Sequence, residues 1–394
     1  MSAVLLAAVV LTAALALGVL LLRRGLLRRR ASVSAYFAAA VACTVLAGVS
    51  AGPLAPPAGP ARALGGPLLG SLGLGGKQVP VMVVPNRPGF NLVAVGAGEA
   101  SAGTDRGRLT KGGLRPGSTL TWVPVELPAG PGQVWVSSGG AVAALAVDTG
   151  RADGAGRGEG LAALRGDDGP ECASAAAGAL LGGDAQPPTG CPADGLAAAD
   201  AAALRESVGF LAGRGARSIG LVEDGSPRGR AAAAEVRAAA GRAGISVGKP
   251  DSSRQPLVVT SGWAGADTAV RDVEAGRTVA EGTYLAPWLF TAPLLSPSAG
   301  QLIPLRYAPN SPAAVEYLKA LGARFPGELP TSAGYDAWLR ARGTAAPAPA
   351  KLYATAVLYV PGSGGGAAGG HHHAEATSWL PSGMIVPVAG LGTA

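Results

Sequence analysis

"RSIGLVEDGSPRGRAAAAEVRAAAGRAGISV", residues 217–247, decides the fold class of the second half of the chain. "RSIGLV" is a short apolar run of the kind that forms a buried strand. "SPRGRAAAAEVRAAAGRAG" reads as a helix with Ser226 as its N-cap and Pro227 in its first turn, and "ISVG" returns to strand. The pattern continues in both directions. "AAADAAALRESVGFLAGRG" (197–215) predicts an amphipathic helix ended by glycine. "PLVVTS" (256–261) predicts a strand, "ADTAVRDVEAG" (266–276) a helix, and "TYLAPWLF" (283–290) a strand or loop. "SPAAVEYLKALGARFPG" (311–327), capped at Ser311, and "TSAGYDAWLRARG" (331–343) predict two more helices. Strands alternating with helices imply a mainly parallel sheet covered on both faces.

Upstream the texture differs. "QVPVMVVP", "FNLVAVGA", "TLTWVPVELP", "QVWVSSGG" and "AVAALAVDTG" are short β-rich runs between residues 78 and 150, separated by turn signals such as "NRPG" and "RPGS". Val79, Val81 and Val83 alternate, as do Trp122 and Pro124 against Val123 and Val125, so a small antiparallel β-sandwich is expected. Residues 53–77, rich in Pro, Gly and Leu, show no sustained period and read as a linker. Residues 151–196 read as a glycine-rich segment with a cysteine pair, and 197–394 as the α/β domain.

The N-terminal residues 1–52 carry two uncharged stretches, Ala3 to Leu22 and Val33 to about Gly52, separated by Arg23, Arg24, Arg28, Arg29 and Arg30. Each is long enough to cross a bilayer as a helix, and a short arginine-rich loop stays on the cytoplasmic side. A secretion leader carries its charge before the apolar run instead. The expectation is a transmembrane helical hairpin in the cell membrane, with everything after about residue 53 extracytoplasmic. Outside the cytoplasm Cys172 and Cys191, flanking "ASAAAGALLGGDAQPPTG", are expected to form a disulfide.

Composition narrows the partners. The 394 residues carry a formal charge of +7, and five of those charges are the arginines of the hairpin turn. The diffuse remainder leaves no electrostatic footprint for nucleic acid. The sequence has no GxxxxGK[ST] loop, and "GLVEDGS" (220–226), which follows the strand-like run, is not a GxGxxG fingerprint, so no enzyme activity is expected.

Two family resemblances overlay this reading. "LLRRRASVSAYFAAAVACTVLAGVSAGPLAPP" (26–57), "VPVMVVPNRPGFNLVAVGAGEASAGTDRGRLT" (79–110) and "RPGSTLTWVPVELPAG" (115–130) resemble the C-terminal end of actinobacterial CopD-type copper transport and resistance proteins. There a last helix precedes an Ig-like β domain of the FixH/YtkA type. That resemblance implies a copper-linked context. Residues 198–340 resemble a type I periplasmic binding protein of the branched-chain amino acid receptor sort, through 217–247, "LVVTSGWAGADTAVRDVEAG" (257–276) and "YAPNSPAAVEYLKALGARFPGELPTSAGYDAW" (307–338). It implies capture of a small solute, with part of the first lobe eroded.

The candidate ligand-binding residues follow from position. Asp224 and Ser226 lie in the turn after a parallel strand, where α/β sheets bind ligands, and Thr260, Ser261 and Trp263 lie in the next equivalent turn. Capping of the helix by Ser226, with Asp224 supporting the turn, explains the first pair equally. His371, His372 and His373, the whole histidine content, form a candidate metal site for copper or another late transition metal, or else a solvated glycine-rich loop. Three roles remain open for the protein as a whole: solute capture, a partner-binding accessory of a membrane transport complex, and a metal chaperone using the histidine loop.

Overall fold

The computed structural model describes residues 64–151, 161–186, 188–250, 254–344, 350–357, 378–380 and 383–391. The expected transmembrane hairpin and His371–His373 lie outside the described residues. No helix among the described residues is long and apolar enough to cross a membrane.

Nine antiparallel strands open the described chain. They are β1 (Leu68–Leu74), β2 (Lys77–Val84), β3 (Gly89–Val95), β4 (Ser101–Asp105), β5 (Arg108–Lys111), β6 (Gly113–Leu114), β7 (Thr121–Leu127), β8 (Pro131–Ser138) and β9 (Ala141–Asp148). They form a five-stranded sheet, β1-β2-β3-β7-β6, and a four-stranded sheet, β5-β4-β8-β9. Val81, Val83, Val93, Val95, Val123 and Val125 of the first sheet pack on Val134, Val136, Leu145 and Val147 of the second. The alternation read from the sequence is this inner face.

The other face of the five-stranded sheet is buried too. Met82, Val84, Leu92, Ala94 and Trp122 join the core of the α/β half. Runs such as "VMVV" and "NLVAV" are therefore apolar throughout because each strand has a protein layer on both sides. Asn91, wholly buried, secures the β2–β3 turn. Its Oδ1 accepts from the Asn86 and Arg87 amides at 2.7 and 3.2 Å, and its Nδ2 donates to the Arg87 and Gly89 carbonyls at 2.7 and 2.8 Å.

One expectation is corrected here. The stretch taken as the end of a linker contains β1, which pairs with β2 from Leu68↔Val83 to Leu74↔Lys77 and buries Leu68, Leu72 and Leu74. Leucines placed between glycines carry a strand's worth of apolar surface that composition alone disguises.

Residues 151–196 are the glycine-rich segment with the cysteine pair. They contain α1 (Ala162–Arg165) and α2 (Gly169–Gly182), and ten successive residues of α2, Gly169 to Gly178, are buried. A helix buried all round shows no amphipathic period, so it reads as low-complexity sequence.

The α/β half continues with α3 (Ala198–Gly213), β10 (Ser218–Val222), α4 (Pro227–Arg242), β11 (Ser246–Gly248), β12 (Gln255–Val259), α5 (Trp263–Glu274), β13 (Ala280–Leu285), β14 (Gln301–Leu305), α6 (Pro312–Arg324), α7 (Ser332–Ala341), β15 (Lys351–Val357) and β16 (Gly383–Gly390). Its sheet runs β11-β10-β12-β13-β14-β15-β16. The first five are parallel and the last two antiparallel. Ser226 and Ser311 accept from the Gly229 and Ala314 amides and cap α4 and α6.

Helices α2 and α7 touch backbone to backbone. A Cβ on Gly178 would fall 1.9 Å from the Gly334 carbonyl oxygen. Gly178→Ala must therefore push the helices apart, and we expect a loss of about 3 kcal/mol in denaturant unfolding. Gly241→Ala, at a helical glycine with open space around it, should be neutral or stabilising by about 0.5–1 kcal/mol. Equal stability of the two variants would refute the close contact.

Candidate functional site

The carboxyl ends of β10, β12, β13 and β14 share one edge of the sheet, the edge where parallel sheets of this kind receive ligands. Above it lies a cavity of about 620 Å³. Helix α2 lines one wall with Glu171, Ala175, Ala176 and Ala179, and α7 lines the other with Ser332, Ala333, Asp336, Ala337 and Arg340. Arg228, Trp288, Arg306 and Asp200 also line it, and Asp184, Gln186 and Thr189 border it. The alanines keep the walls thin, which is what leaves a volume between the helices.

At the base of the cavity Arg228 reaches from the first turn of α4 to Glu171 of α2. Nη1 donates to Oε1 and Nη2 to Oε2, each at 2.6 Å, and the two side chains are 3% and 0% exposed. The guanidinium also lies 4.6 Å from the centre of the Trp288 ring. Burial works against the Arg228 charge, but Glu171 beside it more than offsets that and holds the guanidinium above its ordinary value. Trp288 is fixed in turn because its indole Nε1 donates to the Ser261 carbonyl at 3.0 Å.

Higher in the cavity Arg306, which follows β14, pairs with Asp336 of α7 at 3.4 Å, both partly buried. Burial raises the Asp336 carboxyl, and Arg306 and Arg340 pull it back part of the way. Asp200, in the first turn of α3, has no hydrogen-bond or ion-pair partner among the described residues. Burial pushes its carboxyl up to about 6, with Arg306 acting in the opposite direction.

The residues selected from sequence divide into two groups. Asp224 and Ser226 border a separate recess of about 430 Å³, together with Asp167, Asp168 and Asp194. There Asp224 Oδ1 accepts from the Ser226 amide and hydroxyl at 3.0 and 2.6 Å, and Oδ2 accepts from the Gly262 amide at 2.6 Å. Asp168 Oδ1 accepts from the Trp263 amide at 2.8 Å. Two carboxylates from other elements thus satisfy the N-terminus of α5. Burial opposes the Asp224 charge, yet these hydrogen bonds hold the carboxyl below its ordinary value.

Thr260, Ser261 and Trp263 are carried inward instead. The Thr260 hydroxyl donates to the Val222 carbonyl at 3.2 Å. Ser261 is fully buried, and its hydroxyl has no partner among the described residues. Trp263 is 1% exposed, and its ring is covered by Gly117 of the sandwich, where a Cβ would lie 2.3 Å from the ring. That turn is plugged, so these three side chains do not converge with Asp224 and Ser226 on an open cleft.

Sequence reasoning missed Glu171, Asp200, Arg228, Arg306 and Asp336. The available signal was a lone charge inside an apolar or alanine-rich stretch, as in "PECASAAAG", "AAADAAAL" and "YDAW". Such a charge, once buried, needs a partner or a ligand.

Cys172 and Cys191 form a disulfide and both border the cavity. It ties α2 to the segment that carries Thr189. Replacing both cysteines by serine should lower stability by about 3 kcal/mol in denaturant unfolding, the usual effect for a loop of this length. An unchanged midpoint would show that the segment is held by other contacts.

Another carboxyl belongs to the helix packing. Ser174 of α2 donates to Glu328, which is 7% exposed and pushed up to about 7 by burial. Its ordinary value is 4.5, so the folded state holds this proton more tightly than the unfolded state. The resulting stability is complete below about pH 4.5 and is lost as pH rises through about 7. Wild type should lose up to about 3 kcal/mol from this group across that window, and Glu328→Gln should show a shallower slope. Identical slopes would contradict the assignment.

No family model matches the chain, and no curated protein matches it in sequence. Solved structures are similar to it over about a third of the chain. An ABC transporter substrate-binding protein of Desulfitobacterium hafniense in complex with Leu is similar over 36% of this chain and 47% of its own, at 18% identity and a TM-score of 0.25. A branched chain amino acid ABC transporter periplasmic ligand-binding protein of Burkholderia xenovorans LB400 is similar over 36% and 44%, at 14% identity and a TM-score of 0.28. An extracellular ligand-binding receptor of Verminephrobacter eiseniae is similar over 36% and 48%, at 16% identity and a TM-score of 0.24. These neighbours are binding proteins. The chain spans about half the length of the solved structures it matches.

Proposed function

We propose that the protein captures a small polar solute in the cavity between α2 and α7, without chemical conversion. The observation that carries this reading is the cavity itself. It has about 620 Å³ of space at the carboxyl edge of the sheet, walls of alanine, and charged side chains brought to it by four different helices. The volume suits a molecule of metabolite size. The buried Arg228–Glu171 pair gives the base a fixed geometry, because neither partner can leave without exposing the other's charge to an apolar interior. In this reading the two apolar stretches of residues 3–22 and 33–52 tether the binding unit to the cell membrane. The unit then works outside the cytoplasm, where a disulfide persists and a transporter subunit is within reach.

A second reading has its own observation. The turn holding Thr260, Ser261 and Trp263 is filled by the sandwich, as expected of a module whose halves act as one rigid block to dock a membrane partner.

The two separate on one experiment. A thermal-shift screen of polar metabolites should yield at least one ligand that stabilises the protein. Thr189→Trp, an exposed position at the cavity, should abolish that shift while leaving the unliganded midpoint unchanged. A full screen without a hit would remove solute capture and leave the docking role.

A further inference from the structure

We propose that the cavity selects a ligand bearing a protonated amine, and that the Asp200 carboxylate is the group that holds it. This rests on the solute-capture reading and goes on to name its chemistry.

The charges around the cavity argue for a cation. Four carboxyl groups line it, Glu171, Asp184, Asp200 and Asp336, against the three guanidinium groups of Arg228, Arg306 and Arg340. Inside, the charges pair off. Arg228 is committed to Glu171 through two short hydrogen bonds, and Arg306 faces Asp336. Asp184 is exposed and turns its Oδ1 to the Gln186 amide at 2.9 Å. Arg340 is exposed and helps to neutralise Asp336, four residues before it on α7. Asp200, partly buried, is left with no hydrogen-bond or ion-pair partner among the described residues.

A carboxylate held partly out of water without a partner is disfavoured, and a proton or a cation relieves it. Below the exposed Arg340, an anionic ligand would have to displace Glu171 or Asp336 from its arginine, and a neutral one would leave Asp200 uncompensated. An alkylammonium group supplies the missing charge and donates the hydrogen bonds the carboxylate lacks.

The same arrangement links capture to pH. The charged groups facing Asp200 are Arg306 after β14, Asp336 of α7, Arg228 of α4 and Glu171 of α2. Despite the two arginines, burial leaves the Asp200 carboxyl at about 6 when the cavity is empty. An ammonium placed beside it favours the ionised form, so binding below that value expels a proton. Affinity therefore rises with pH until Asp200 is ionised and then levels off. A group titrating near 6 is about one-tenth ionised at about pH 5, so the expected gain on moving to about pH 7.5 is about tenfold.

The test is isothermal titration calorimetry on the full chain in detergent, with butylamine, butyrate and butyramide as probes at about pH 5 and about pH 7.5. Butylamine alone should bind, about tenfold more tightly at the higher pH, with proton release at the lower one seen by comparing buffers of different ionisation enthalpy. Asp200→Asn should fold, since no partner is lost, and should lose both the affinity and its pH dependence. Should that variant fail to fold, the pH series on wild type still decides. Binding of butyrate or butyramide in preference to butylamine would overturn the amine assignment while leaving solute capture standing. Butylamine binding that is flat with pH, or binding by none of the three, would overturn it as well. Failure of capture itself shows separately, in the metabolite screen.

Discussion

The arrangement of the α/β half depends on one desolvated ion pair. Arg228 enters the interior from the first turn of α4, and Glu171 meets it from a helix within the stretch that reads in sequence as a glycine-rich segment with a cysteine pair. Two parallel hydrogen bonds at 2.6 Å fix both the distance and the rotation of α2 relative to the sheet edge. With that helix in place, the Gly178–Gly334 contact brings α7 alongside, and the space left below the contact is the cavity. Removing either charge would leave the other buried and unpaired, a loss of about 3–5 kcal/mol. The pair thus specifies an arrangement more than it adds net stability.

Charge is distributed between two places with different outcomes. Around the N-terminus of α5 the carboxylates of Asp224 and Asp168 are consumed by backbone amides, so an acidic recess that looks like a site serves to finish a helix. In the larger cavity arginines take up Glu171 and Asp336, the Gln186 amide donates to Asp184, and Asp200 has no protein donor among the described residues.

The sandwich and the α/β half are also not independent. The five-stranded sheet is shared: in β2, β3 and β7 the odd positions face the second sheet and the even positions face α2 and its neighbours. Arg115 donates to the Gly166 carbonyl at 2.5 Å, Thr119 to the Gly327 carbonyl at 3.2 Å, and Arg165 covers the Phe90 ring at 4.2 Å. With Gly117 seated on Trp263, these contacts leave no solvent layer at that turn. A hinge between the halves would have to break all of them.

By itself the sequence determined the elements whose periodicity is local. Ser226 and Ser311 announced their helices, Val81, Val83, Val123 and Val125 announced a sandwich face, and the strand–helix alternation after residue 197 announced a parallel sheet. It also supplied the cysteines that pair. It did not reveal β1 or α2, because a glycine-spaced strand and an all-round buried helix lack the two-sided contrast that makes a pattern. Only the tertiary structure decided that Trp263 is a plug and that Asp200 faces a cavity. Which side chain meets which across 30 or more residues of chain, as Glu171 and Arg228 do 57 apart, depends on how helices pack, and packing is absent from any local window.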